Sequence, residues 1–160
     1  MGMREAWNTC YDINVTGTQI MTHTFAPLLV LSSDPRLIFV TSGLSSLTAI
    51  STSYTPTRLP VQAGWPKPEM HPYHAYRPSK TALNMVMLEW HWQLQEDNVK
   101  TWCVSPGFLA TSIGNSFAGQ PGAPPVQHPS IGGKLITSVI EGLRDQDVGK
   151  VVTQDGIQPF

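Results

Sequence analysis

Charge is scarce in this chain. Asp, Glu, Lys and Arg make up 13% of the 160 residues and leave a formal net charge of -1, where soluble domains average about 25% charged residues. No strong field of either sign is available, so neither nucleic acid nor an anionic membrane is an expected partner. Cysteine is scarcer still. Cys10 and Cys103 are the only two, too few for a disulfide framework, and both are expected as buried thiols in a reducing, cytoplasmic compartment. Long apolar runs are missing as well: FAPLLVL and LIFV fall far short of the roughly 20 residues that cross a bilayer. The opening MGMREAWNTCYD puts charge where a signal peptide carries its apolar core, and Ala6 stands where a myristoylation site carries Ser or Thr. The patterns GxGxxG, GxxxxGK[ST], CxxC, HExxH and GxSxG are all absent, which removes the usual phosphate loops, structural zinc and the hydrolase elbow from consideration.

What the chain does have is a 41% hydrophobic share with five tryptophans, enough for the core of one domain spanning 1–160. Trp7, Cys10, Tyr11, Val15, Ile20, Met21 and Phe25 recur near helical spacing, so residues 3–31 are expected to be helical, kinked or shortened at Pro27. Arg36–Val40 is a short apolar run without alternation, which reads as a buried parallel strand ending at Thr41-Ser42-Gly43. Residues 44–72 carry five prolines and are expected to form a long irregular insertion. A second helix is expected over 75–95, a strand over 99–104, a Gly/Pro-rich lid within 108–129, a third helix from Ser130 (its N-cap) to Leu143, and a last strand over 148–153. Helices alternating with strands imply right-handed crossovers and a parallel sheet covered on both faces.

The most informative segment is Tyr76-Arg77-Pro78-Ser79-Lys80. A spacing of four puts Tyr76 and Lys80 on one helical face. A phenol, with a pKa of about 10, is a poor proton donor or acceptor at neutrality. A nearby ammonium favours the phenolate: two unit charges about 4 Å apart interact by roughly 4 kcal/mol at an effective dielectric near 20, against about 1.4 kcal/mol per pKa unit. The pair could thus give a tyrosine that exchanges protons near neutrality. Taken alone, the spacing fits a plain helix-surface contact equally well. Other residues add to it. Ser42 lies just past the carboxyl end of an expected strand, where open parallel sheets bind ligands. Pro106-Gly107, followed by Leu109 and Thr111, takes the equivalent place after the next strand, and Asn14-Val15-Thr16-Gly17 lies in the first helix.

These residues resemble the short-chain dehydrogenases/reductases, and the resemblance covers nearly the whole chain. The N-x-x-G of Asn14–Gly17, the strand LIFVTS ending at Ser42, the Y-x-x-x-K of Tyr76 and Lys80 with Thr81-Ala82-Leu83-Asn84 behind it, and the P-G-x-x-x-T of Pro106, Gly107 and Thr111 stand in the family's order. So does the ending Gly149-Lys150-Val151-Val152, with Asp155-Gly156 and Pro159-Phe160 after it. The resemblance implies an α/β fold, the C-terminal portion of a Rossmann-type three-layer αβα arrangement with a parallel sheet. It implies an NAD(P)(H)-dependent oxidoreductase that interconverts a carbonyl and an alcohol by hydride transfer, with NADP slightly favoured over NAD and a small hydrophobic substrate. Tyr76 would be the general acid, Lys80 would lower its pKa and hold the ribose hydroxyls, Ser42 would orient the carbonyl, and Asn14 would hold a water of the proton relay. Asn14, Tyr76, Lys80, Pro106, Gly107, Leu109 and Thr111 would contact the cofactor. Helices 3–31 and 75–95 would form a homo-oligomer contact.

The chain also departs from the family. Ser42 and Tyr76 stand 34 positions apart, wider than the usual spacing, so 44–72 resembles an insertion of the carbonyl-reductase kind, either beside the substrate mouth through Trp65 or Tyr73 or, equally, a surface loop with no part in the site. The glycine-rich phosphate loop and its strand are not in the sequence. The expectation is therefore a truncated chain with an open edge at strand 36–41, poor dinucleotide binding and a tendency to associate. A second reading follows: a catalytically inactive remnant acting as a dimerising partner. His71 and His74 lack a third ligand, so no metal site is expected, and the Asn14-Val15-Thr16 sequon falls in a helix and is set aside. Phe108, Leu109, Ile113 and Phe117 are expected to surround the substrate.

Overall fold

Runs of β-branched and aromatic residues become the strands of one sheet: Arg36–Val40 (β1), Lys100–Val104 (β2) and Val151–Thr153 (β3). In this computed structural model, which describes residues 1–52, 62–67, 73–119 and 123–160, all three are parallel, with Phe39 level with Cys103 and Cys103 level with Val151. The chain then reverses through Gln154-Asp155 and adds Gly156–Gln158 (β4) antiparallel to β3. The order is β1-β2-β3-β4. The sheet is mixed rather than wholly parallel, and β4 has no counterpart in the sequence reading because three residues next to Gly156, at φ +134°, carry no strand signature of their own.

The helices are Met3–Tyr11 (α1), Thr18–Leu29 (α2), Leu47–Thr52 (α3), Tyr76–Gln93 (α4), Ser112–Phe117 (α5) and Pro129–Ile140 (α6). The expected first helix is interrupted, but not at Pro27. Helix α2 runs on to Leu29, whereas Asp12–Gly17 adopts π-helical turns between α1 and α2. Helix α6 starts one residue earlier than expected. Pro129 takes its first turn, and His128, not Ser130, is the cap, its Nδ1 accepting from the Ser130 N–H at 3.2 Å. The last strand is shorter than 148–153 because Asp145–Asp147 forms a 3-10 turn and Gly149 turns at φ +79°.

Alternation along β2 builds the core on both faces. Cys103 joins Phe39, Leu83, Met87, Trp90 and Val151 under α2 and α4, while Trp102 and Val104 pack with Leu135, Val139 and Val152 under α6. Trp90 is buried and donates from Nε1 to Gln19 Oε1 at 2.8 Å; Trp92, two residues on, is 68% exposed. Strand β1 lies at the sheet edge, as an open-edged strand requires. The expected loop 44–72 begins with the 3-10 turn Gly43–Ser45 and α3. Trp65 is 85% exposed, and His71 lies outside the described residues. No helix among them is long and apolar enough to cross a membrane.

Candidate active site

The sheet ladder reaches one residue past β1, where the Thr41 N–H donates to the Val104 carbonyl at 2.8 Å. Beyond it, Ser42 stays extended at φ -151° and ψ 150° and caps the 3-10 turn, its Oγ accepting from the Leu44 N–H at 3.2 Å. Helix α4 opens beside this turn. The Arg77 Nε donates to the Leu44 carbonyl and Thr81 Oγ1 to the Ser45 carbonyl, at 3.2 and 2.9 Å. Tyr76 and Lys80 therefore project toward the end of β1. Lys80 Nζ donates to the Val40 carbonyl at 2.9 Å and lies 5.8 Å from the centre of the Tyr76 ring.

Ser42, Tyr76 and Lys80 thus share one site. Burial holds the Tyr76 phenol above its usual value, a side-chain hydrogen bond with Ser42 draws it back down, and the Cys10 thiol nearby adds to the upward push. Burial also lowers the Lys80 amine. The expected lowering of the phenol by Lys80 is not what the geometry delivers. The ammonium faces the ring and is engaged by the Val40 carbonyl, so desolvation of the phenol dominates. Asn14 reaches the site indirectly: from the π turn its Nδ2 donates to Ser79 Oγ at 3.0 Å, and Ser79 Oγ donates to the Tyr76 carbonyl at 2.8 Å.

Pro106, Gly107, Leu109 and Thr111 follow β2 as expected. Gly107 sits at φ +97°, a backbone conformation that favours glycine, and a Cβ there would meet only the movable side-chain ends of Gln154 and Gln127. Thr111 caps α5, accepting from the Gly114 N–H at 3.3 Å; among the described residues no hydrogen bond joins Leu109 or Thr111 to Tyr76 or Lys80. A cleft of about 340 Å³ opens along the carboxyl ends of the strands, lined by Gly43, Ser105, Gly107 and Phe108 and by amides of Gln127 and Gln154. The amides are additions to the sequence reading, since isolated glutamines belong to no motif. Ile113 is 58% exposed. Of the two thiols, Cys103 is buried and Cys10 is only half-buried, which corrects the expectation that both are enclosed. Among the described residues, no group of three His, Cys, Asp or Glu side chains could hold a metal.

A parallel three-stranded core with helices on both faces and a Ser-Tyr-Lys cluster at its carboxyl edge is a Rossmann-like arrangement. No protein-family model matches the chain. It is 73% identical over 161 residues to "Short-chain dehydrogenase/reductase tropE" of Talaromyces stipitatus, covering 100% of this chain and 60% of that protein. It is 44% identical over 165 residues to "Short-chain dehydrogenase/reductase eupG" of Phoma sp, covering 98% and 59%. The chain belongs to the short-chain dehydrogenase/reductase family, and it spans about 60% of the length of these relatives. The NADPH-bound carbonyl reductase from chicken fatty liver shares the fold at a TM-score of 0.75 with 17% identity, over 99% of this chain and 59% of that one. The carbonyl reductase Sniffer of D. melanogaster does so at 0.69 with 19% identity, over 99% and 58%.

Proposed function

We propose that the chain is the catalytic part of an NAD(P)(H)-dependent oxidoreductase that interconverts a small hydrophobic carbonyl compound and its alcohol. The observation carrying this reading is the convergence of Ser42, Tyr76 and Lys80 at the end of β1. The donor set suits the ribose end of a nicotinamide dinucleotide. An ammonium carries three N–H donors, and the described residues show one acceptor for Lys80, the Val40 carbonyl. Two remain to reach ribose hydroxyls, and Pro106 and Gly107 follow β2, the strand paired with β1. A nicotinamide dinucleotide held there would supply the hydride chemistry, with NADP slightly favoured over NAD. Ser42 donates to the carbonyl oxygen and orients it. Tyr76, kept protonated by its burial, gives that oxygen its proton in reduction and takes it back in oxidation. Asn14, in this reading, orders a water that links Lys80 to solvent.

The test joins the chain to the part of its 73%-identical relative that it does not span, and follows NADPH oxidation with small aromatic and aliphatic aldehydes and ketones. Turnover is expected, with Tyr76→Phe reducing it by roughly a hundredfold or more and leaving dinucleotide affinity within a few-fold. No turnover with any carbonyl, or turnover unmoved by Tyr76→Phe, would sink the reading. The chain on its own is expected to bind NADPH more weakly than micromolar.

One observation favours the second reading, a non-catalytic dimerising partner. Met21, Phe25 and Leu28 of α2 and Met85 and Trp92 of α4 are all more than half exposed, an apolar surface suited to a homo-oligomer contact between copies. Light scattering tests it: Trp92→Glu should shift the chain toward monomer. A cytoplasmic setting is consistent with its two free thiols.

A further inference from the structure

Past Thr41 the sheet no longer holds the backbone, so something else must fix the direction in which Ser42 presents its hydroxyl. Three side chains meet there. Thr41, Ser45 and Asn84 are 3%, 1% and 3% exposed, and all are hydrogen-bonded to one another in sequence. Thr41 Oγ1 donates to Asn84 Oδ1 at 2.7 Å, Asn84 Nδ2 donates to Ser45 Oγ at 2.9 Å, and Ser45 Oγ donates to the Ser42 carbonyl at 2.7 Å. Thr41 Oγ1 also lies 3.4 Å from the Lys80 carbonyl, but the shorter contact is to Asn84 Oδ1, which leaves the carboxamide nitrogen facing Ser45. From β4, Gln158 Nε2 reaches the same two acceptors, the Ser42 carbonyl at 3.4 Å and Ser45 Oγ at 3.3 Å.

We propose that Asn84 is a positioning residue for Ser42, acting through Ser45 and assisted by Gln158 from the last strand. The idea rests on the proposed function, in which the Ser42 hydroxyl must point at the substrate oxygen and at Tyr76. Asn84 touches neither reacting atom. It sets the rotamer of Ser45, whose hydroxyl adds to the Ser45 N–H, 3.0 Å from the same carbonyl, in pinning the peptide that follows Ser42; the pinned peptide, with the Leu44 N–H on Oγ, aims the hydroxyl. A fully satisfied buried polar network is rigid because each member loses its partner if another moves. A role confined to filling the core would cost stability without acting selectively on the neighbouring phenol.

The test reads the Tyr76 phenol directly in the 160-residue chain, as the near-ultraviolet titration of each protein minus that of its Tyr76→Phe counterpart. The titratable or charged groups around it are Cys10 from α1, Tyr73 just before α4 with Arg77 beside it, and Lys80 in the first turns of α4; all stay unchanged, and Asn84→Leu introduces no charge. Asn84→Leu and Ser42→Ala are each expected to raise the midpoint by roughly half a unit or more, the size of one lost hydrogen bond to the phenolate. In a Ser42→Ala background, Asn84→Leu should move it no further. Gln158→Leu, on the far side of the network, should give a smaller rise that also vanishes without the Ser42 hydroxyl, and it serves where Asn84→Leu does not fold. A midpoint unmoved by both variants, or one that moves equally with and without Ser42 Oγ, overturns the proposal. The readout needs neither cofactor nor substrate, so missing carbonyl turnover would count against the proposed function alone.

Discussion

Asn14 and Ser79, 65 residues apart in sequence, are joined side chain to side chain at 3.0 Å. The bond fastens the π turn of the first helical segment to the opening turn of α4, and Ser79 passes it on to the Tyr76 carbonyl. Ser79 is fully buried, so losing its partner costs more than an exposed hydrogen bond would. Asn14→Ala is expected to destabilise the chain by about 1 kcal/mol and to lower its melting temperature by about 2–4 °C. Thermal unfolding checks this. In a Ser79→Ala background most of the loss should disappear, since the two substitutions remove one interaction.

At the opposite end of the sheet, four charged groups interlock. Asp145 accepts from Arg36 Nη1 at 2.6 Å and from Lys100 Nζ at 2.6 Å, and Asp34 contacts the same two cations at 2.8 and 2.9 Å. The Arg36 guanidinium, and after it the Lys100 ammonium, hold the Asp145 carboxyl down to about 2. A carboxyl lowered in the folded state contributes stability above its unfolded value of about 4, and that contribution fades as pH falls from about 4 toward 2. Both carboxylates are partly exposed, so the gain is modest. Asp145→Asn should lower the melting temperature by roughly 2–4 °C at neutral pH, with the difference from wild type closing below about pH 3. A gap that persists at pH 2 would assign the effect to packing.

The two thiols should differ sharply in reactivity. Cys103 is fully buried between β1 and β3, and burial pushes its pKa up to about 12, so almost no thiolate exists at neutral pH. Cys10 is half-buried on α1. A chromogenic disulfide reagent at pH 8 is expected to titrate one thiol in the native chain and two in denaturant, with Cys10→Ser abolishing the native reaction. Two fast thiols without denaturant would mean that the α4 face of the sheet opens readily.

How much of this was legible in the sequence depended on whether the signal was local. Tyr76, Lys80 and Ser42 were readable because a four-residue helical spacing and a strand terminus are short-range patterns, and LIFV and TWCV carry their strand character in their side chains. The π turn at Asp12–Gly17 was not, because it differs from an α-helix by the placing of one residue and no residue type marks it. Strand β4 is a strand only by pairing with β3, and Gln158 matters only through contacts made at the sheet end. The direction of the Tyr76 shift is not legible, because spacing puts a lysine near a phenol without saying which atom the ammonium faces, and Lys80 turns to the Val40 carbonyl.

That direction has a consequence for pH dependence. If Tyr76 delivers the proton in reduction, the rate requires the neutral phenol. Burial keeps the phenol protonated beyond its ordinary value near 10, so the reacting form is fully populated across neutrality. Carbonyl reduction by the protein joined to its relative's remaining segment is expected to show a kcat/KM that is flat between about pH 6 and 9 and falls only at higher pH. Alcohol oxidation uses the phenolate and should climb by about tenfold per pH unit over the same range. Tyr76→Phe should abolish the slope along with the rate. A reduction rate that instead falls through a midpoint near 7 would mean that a bound dinucleotide re-aims Lys80 from the Val40 carbonyl toward the phenol oxygen, and Lys80→Met should then push that midpoint back up.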